Sequence, residues 1–91
     1  MKKLPEHVKH YKSTPEFTQD TVPAGLQRDH TTAENVWARI VVSEGSLRYC
    51  IEEPEAEQHM LSPGTFGIIE PRMAHHVELT GPVRFCVEFY R

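Results

Sequence analysis

Apolar and polar residues alternate with a period of two along most of the chain from Gly25 onward, which is typical of β-strands that bury one face. Glycine and proline interrupt this alternation and indicate turns, as at Glu44-Gly45 and Thr80-Gly81-Pro82. The predicted strands cover residues 36–43, 47–52, 58–61, 65–69, 75–79 and 83–90. Because no stretch has a convincing helical period, the pattern predicts an all-β sandwich or barrel.

The alternation also predicts which side chains of each strand point inward. The expected inner residues are Val36, Ala38, Ile40, Val42, Leu47, Tyr49, Ile51, Val77, Leu79, Val83, Phe85, Val87 and Phe89. His75 is in phase with Val77, so we expect its imidazole on the inner face. His76 and Glu78 are out of phase and are expected on the outer face.

The first 23 residues lack an apolar period, so residues 1–23 are interpreted as an extended N-terminal arm and residues 24–91 as a single β-domain. The last predicted strand reaches the end of the sequence, with no helix after it to cover an edge of the sheet. Exposed edges of small sheets commonly pair between subunits, which favours a homodimer.

Composition narrows the classes of function. The 91 residues have a formal net charge of −3 and lack a basic stripe, which argues against a nucleic-acid partner. No apolar run approaches the roughly 18 residues that cross a membrane, so no membrane partner is expected. Two cysteines and no recognisable signal peptide predict a cytoplasmic protein. Cys50 and Cys86 are interpreted as residues that fill space on a sheet face.

The histidines are the main candidates for chemistry. An imidazole on an apolar face, as predicted for His75, is either hydrogen-bonded in the core or a metal ligand, and the pattern leaves both open. Counting by twos from Leu26 places Arg28 and His30 on one face, from which His30 would approach His75. His59 follows an acidic loop and either joins this pocket or is solvated. No nucleophile motif, phosphate-binding glycine loop or dinucleotide fingerprint is present, so no catalytic residue is assigned.

The segment 64–75 resembles the second motif of the cupins, small double-stranded β-helix or jelly-roll barrels. It contains a Pro-Gly turn, an apolar strand, the proline turn at Pro71 and then His75. The first motif departs from the cupin pattern, because Asn35, Trp37 and Arg39 precede Gly45 in place of a His-x-His pair. The resemblance implies a cupin-like barrel without the usual set of three histidines and a glutamate.

The segments 22–30, 36–45, 69–79 and 87–90 together resemble the TehB/YeaR-like family, cupin-like domains associated with tellurite resistance, over residues 12–91. The resemblance places the two recurrent histidines of that family on His30 and His75 and its following acid on Glu78. It implies a divalent metal of the zinc or iron class held by these residues. Arg28 stands where the family tends to have an acid, and a guanidinium there would either compete with the metal ion or recruit an oxyanion. The family's methyltransferase activity belongs to a separate domain and is not implied.

Three functions remain open at this point. The first is a cupin-like stress-response domain that binds a divalent metal, a small oxyanion or both, with His76 and His59 as reserve ligands. The second is a non-enzymatic module that binds a small ligand through Arg28, Trp37, Arg39 and His59. The third is a homodimeric interaction protein with a vestigial pocket, whose arm would wrap around the partner subunit.

Overall fold

Two long antiparallel strands form the centre of the fold. The structure is a computed structural model that describes residues 1–28, 31–53 and 55–91. Its elements are β1 (His10–Ser13), β2 (Phe17–Thr18), a 3-10 helix (Ala24–Gln27), β3 (Trp37–Ile51), β4 (Glu57–Leu61), β5 (Gly67–Ile69) and β6 (His75–Tyr90). Strands β3 and β6 pair along their whole length, from Trp37 opposite Tyr90 to Ile51 opposite His75.

The shorter strands extend this pair into one six-stranded sheet. The first half of β3 also pairs with β5, and its second half pairs with β4. On the other side, β1 and β2 pair with the second half of β6. The all-β prediction is therefore confirmed. Among the described residues, the strand path begins at β1 and ends at β4, so the sheet is not closed into a barrel.

The turns predicted at Glu44-Gly45 and Thr80-Gly81-Pro82 do not reverse the chain, and those two predictions are wrong. Both segments lie inside long strands, β3 and β6, at the point where the two strands are paired with each other and their register shifts. Gly45 lies opposite Val83 and has a φ of 77°. Since both partners are irregular at one place, the residues that favour turns distort the ladder locally instead of forming hairpins.

Part of the predicted N-terminal arm lies in the sheet of its own chain. Strands β1 and β2 both fall within residues 1–23, and both pair with β6. Thr14, between them, donates its backbone N–H to the carbonyl of Val87 at 2.9 Å and accepts the Val87 N–H on Oγ1 at 3.0 Å. This segment therefore covers the second half of β6 within one protomer.

The inner face of the sheet follows the predicted alternation closely. The buried core contains Ala38, Ile40, Val42, Leu47, Tyr49, Ile51, Leu61, Ile69, Met73, Val77, Val83, Phe85 and Val87. Leu79 is an exception, since it was expected inside and is 36% exposed. It is the last paired residue of β6 before the register shift, where the regular alternation of faces ends. Within the described residues, no helix is long and apolar enough to span a membrane.

Candidate functional site

His75 begins β6 and is buried on the inner face, as its phase with Val77 predicts. Its ring Nδ1 lies 2.9 Å from the carbonyl oxygen of Met73, two residues earlier. Because a carbonyl only accepts hydrogen bonds, Nδ1 carries a proton, and in the neutral ring the lone pair is on Nε2. The imidazole also meets the ring of Tyr49 in a T-shaped arrangement, with 6.1 Å between the ring centroids.

The turn before His75 is held by Thr32, a buried polar residue. Its hydroxyl donates to the carbonyl of Glu70 at 2.7 Å, and its own carbonyl accepts the backbone N–H of Arg72 at 3.1 Å. Arg72 has a φ of 60°, a conformation that reverses the chain tightly. These two hydrogen bonds tie the segment before β3 to the start of β6 and so fix the position of His75.

A cavity of about 250 Å³ adjoins His75 on the inner side of the sheet. Its walls are mainly apolar and include Leu26, Ile40, Ile69, Val77, Phe85 and Val87. Among the described residues that line it, His75 is the only titratable one. A mostly apolar pocket with few polar groups is the usual form of a small-ligand site.

Tyr49, whose ring contacts that of His75, is fully buried. Its hydroxyl donates a hydrogen bond of 2.9 Å to the carbonyl of Ile68 in β5. Burial and, to a lesser degree, the negative charges of Glu70 and Glu57 raise the pKa of the Tyr49 hydroxyl. Tyr49 therefore stays neutral and connects β3 with β5.

The structure brings only part of the predicted metal set to the cavity. His30 lies outside the described residues. Glu78 is on the opposite face of β6 from His75, where its carboxylate bonds Arg48 at 3.0 Å and His76 at 3.1 Å. Successive residues of a strand point to opposite faces, so Glu78 is separated from the inner cavity by the sheet itself. The expected grouping of Glu78 with His75 is not formed in this arrangement.

The four residues predicted to bind a ligand also lie away from the cavity wall. Arg28 is exposed, and Trp37 is half-buried on β3. Arg39 donates to Glu88 at 2.7 and 3.0 Å and stacks on Phe66, with 4.4 Å from its guanidinium carbon to the ring centroid.

His59 lies on β4, where its ring nitrogen is 2.9 Å from a carboxylate oxygen of Glu57. Its ring also lies near that of Tyr49, with 6.5 Å between the ring centroids. None of the four predicted ligand-binding residues is among the described residues that line the cavity beside His75.

The outer face of β3 and β6 carries a second group of polar side chains. This outer cluster comprises Arg48 and Cys50 of β3, Glu52 directly after β3, and His76 and Glu78 of β6. Cys50 lies directly opposite His76, and Arg48 lies directly opposite Glu78. The imidazole of His76 bridges two carboxylates, with Nδ1 at 3.0 Å from Glu52 and Nε2 at 3.1 Å from Glu78.

Hydrogen bonds, charges and burial within the outer cluster shift the pKa values of its titratable side chains. The hydrogen bonds to Glu78 and Glu52 raise the pKa of His76, which favours the imidazolium form. The hydrogen bonds from His76 and Arg48 lower the pKa of the Glu78 carboxyl. Burial, together with the charge of Glu78, raises the pKa of the Cys50 thiol. The ligand atoms of Cys50, His76 and Glu78 all lie within 4.8 Å of one another.

Sequence reasoning placed His76 and Glu78 on the outer face but did not join them to Cys50. The missing information is the pairing of β3 with β6, which brings distant segments together. The alternation of residues 47–52 shows that Arg48, Cys50 and Glu52 share a face. Had that face been paired with residues 75–79, the outer cluster would have followed from the pattern.

Known proteins resemble this chain over nearly its whole length. Residues 12–87 match the family described as the TehB-like domain. The chain is 28% identical over 99 residues to "Uncharacterized protein YeaR" of Escherichia coli (strain K12), a match that spans 99% of the chain and 83% of that protein. It is 27% identical over 85 residues to "Probable S-adenosyl-L-methionine-dependent methyltransferase TehB" of Haemophilus influenzae, spanning 88% of the chain and 30% of that protein.

Solved structures similar to this one include the following two. A crystal structure of an Escherichia coli (strain K12) protein matches with a TM-score of 0.88 and 24% identity, covering 100% of this chain and 97% of the other. The crystal structure of TehB from Haemophilus influenzae matches with a TM-score of 0.81 and 26% identity, covering 91% of this chain and 31% of the other. The first likeness supports the fold alone. The second places the shared region within about a third of a longer chain.

Proposed function

The chain belongs to the TehB-like domain family, and we propose that it is a binding domain. It would bind a divalent metal of the zinc or iron class at His75 and a small ligand in the adjoining cavity. The observation that carries this proposal is the hydrogen bond between Nδ1 of His75 and the carbonyl of Met73. Histidine ligands of metals typically donate their other ring N–H to a carbonyl or a carboxylate, which orients the ring. His75 has this arrangement.

The second ligand in this proposal is His30, as the family resemblance implies. Neutral imidazole suits both zinc and iron, and two histidines with water or a ligand oxygen would complete the coordination. Glu78 is not included, since it lies on the other face of β6. In this proposal, His30 and His75 would be ligands of the same metal ion.

The volume of the cavity favours a small ligand over a large one. Its volume of about 250 Å³ is below the roughly 300–1,000 Å³ that is usual for drug-sized molecules. A small oxyanion in such apolar walls needs a compensating positive charge, because an isolated buried charge is costly. A metal ion at His75 would supply that charge. The resemblance to tellurite-resistance proteins makes tellurite the first oxyanion to test. Methyl transfer is not part of the proposal, because the match covers 30% of the methyltransferase relative.

The metal content of protein purified without an affinity tag tests the proposal. By elemental analysis, we expect His75→Gln and His30→Gln each to contain about one equivalent of zinc or iron less than the wild type. His59→Gln is the matched control, because His59 is a histidine of β4 that is bonded to Glu57 and does not line the cavity. Metal-free protein after reconstitution with zinc and iron, or equal metal content in all three variants, would overturn the proposal.

Ligand binding is tested separately by nuclear magnetic resonance titration. Tellurite added to the metal-loaded protein should shift the amide signals of Ile40, Val77 and Val87, which line the cavity. The amide of Met60, on an exposed position of β4, is the internal reference and should not shift. Shifts confined to surface residues would reject binding in the cavity.

A further inference from the structure

The structure contains a second group of metal-ligating side chains, on the opposite face of the sheet from His75. We propose that Cys50, His76 and Glu78 of the outer cluster bind a zinc-class divalent cation. Cys50 and His76 are direct partners across the β3–β6 pair, and Glu78 is two residues beyond His76 on the same face. Their ligand atoms lie within 4.8 Å of one another. In tetrahedral zinc sites, bonds of about 2.0–2.3 Å place the ligand atoms about 3.3–3.8 Å apart, so small side-chain rotations are sufficient.

The hydrogen bonds around the outer cluster identify the ligand atoms. His76 has Nε2 beside Glu78, whereas its Nδ1 is bonded to Glu52. Glu78 has Oε2 beside His76, whereas its Oε1 is bonded to Arg48. A cation bound by Nε2 and Oε2 therefore leaves both outer hydrogen bonds intact. Glu52 and Arg48 would then orient the two ligands, which is the role of outer-shell partners in known metal sites.

The composition of the site favours zinc over magnesium or calcium. A thiolate and an imidazole are the ligands that zinc prefers, whereas magnesium and calcium take oxygen. Binding would replace the thiol proton of Cys50 and the Nε2 proton of His76 by the cation. Cys50, Glu52 and His76 also line a groove of about 460 Å³, which gives access for the ion and leaves room for a fourth ligand such as water.

Cobalt(II) is a specific probe for this site, because its coordination by a thiolate produces a charge-transfer band in the near ultraviolet. We expect untagged protein to develop this band, with the final intensity of one thiolate-bound cobalt ion per chain. Cys50→Ser should abolish the band, and Cys86→Ser, which changes the other free cysteine, should keep it. Glu52→Gln leaves the three ligands in place and should weaken cobalt binding about 10- to 100-fold, as is typical when an outer-shell partner is removed.

The same titration separates this site from the one proposed at His75. The cavity site contains no cysteine, so His75→Gln should leave the thiolate band unchanged while removing metal from the cavity. Circular dichroism on each variant distinguishes loss of binding from loss of folding. Glu78→Gln is a second ligand variant, at a side chain less buried than Cys50. Absence of the band in the wild-type protein, or its survival in folded Cys50→Ser, would show that the outer cluster is only a network of ion pairs.

Discussion

Gly45 of β3 lies against the carbonyl of Pro82 in β6 so closely that a side chain on Gly45 would overlap the carbonyl oxygen. Its φ of 77° is also in the left-handed region that favours glycine. The close approach occurs where the two long strands change register. The absence of a side chain at this position therefore allows β3 and β6 to remain paired through the irregularity.

Replacing Gly45 by alanine should destabilise the protein by about 2–3 kcal/mol, because the added methyl group overlaps the backbone in addition to straining φ. Gly64→Ala is the matched control. Gly64 has a φ of 92° but open space around it, so it isolates the cost of the backbone conformation. Urea denaturation of both variants measures the difference. Equal losses would show that the contact with Pro82 contributes nothing.

This relationship also explains where sequence-based prediction succeeded and failed for the fold. The period of two identified the buried faces correctly at positions such as Ile40 and Phe85, because alternation is a local property of a strand. The same local reasoning predicts two separate turns at Gly45 and Gly81. Only the pairing of the two segments with each other shows that they are one irregularity in a continuous pair of strands.

The candidate site was predictable to the same extent. His75 was placed inside from its phase with Val77, and the structure buries both. The link between Cys50 and His76 depends on the register of two strands that are distant in sequence, which alternation does not specify. The hydrogen bond from His75 to Met73 depends on the turn at Arg72, whose positive φ is unusual for a residue other than glycine.

The pair formed by Arg39 and Glu88 should make stability depend on pH in acid. Although burial opposes ionisation, the hydrogen bonds from Arg39 and Tyr90 hold the pKa of Glu88 below its ordinary value. A lowered pKa in the folded state contributes stability above the unfolded pKa, and this contribution disappears as the pH falls through the folded pKa. The contribution at neutral pH should be about 0.5–1 kcal/mol, since both side chains are partly exposed.

Glu88→Gln tests this by urea denaturation from neutral pH to about pH 3, below the ordinary glutamate pKa. We expect the variant to be less stable at neutral pH and the two proteins to converge in acid. Glu16→Gln is the control, because Glu16 pairs with Arg84 at a more exposed position. A constant difference between wild type and Glu88→Gln across the whole range would contradict the prediction.

The hydroxyl of Tyr49 should contribute measurably to stability. Tyr49→Phe removes the hydrogen bond to the carbonyl of Ile68 at a fully buried position. Loss of a buried hydrogen bond typically costs about 1–2 kcal/mol, because the remaining acceptor is left without its partner. Tyr11→Phe is the comparison, since Tyr11 stacks with Arg91 near the surface and should change stability by less than about 0.5 kcal/mol. If Tyr49→Phe is as stable as the wild type, water replaces the hydroxyl as the partner of the Ile68 carbonyl.

Phe17 should connect the N-terminal segment with the cavity. It lies in β2, its ring meets that of Phe85 edge to face at 5.6 Å, and it lines the cavity. Phe17→Ala should cost about 2 kcal/mol, because Phe17 is half-buried and full burial of such a side chain contributes about 1.5–3 kcal/mol. The variant should also enlarge the cavity, so that a small apolar dye binds more tightly than in the wild type.

Phe66→Ala is the matched control for Phe17, since Phe66 is 39% exposed and is not part of the cavity wall. Urea denaturation measures the stability of both variants, and fluorescence titration measures dye binding. Sedimentation equilibrium measures the association state of Phe17→Ala. This state should equal that of the wild type, because β2 pairs with β6 of its own chain. A fall in association state with unchanged dye binding would instead indicate that the segment is exchanged between subunits.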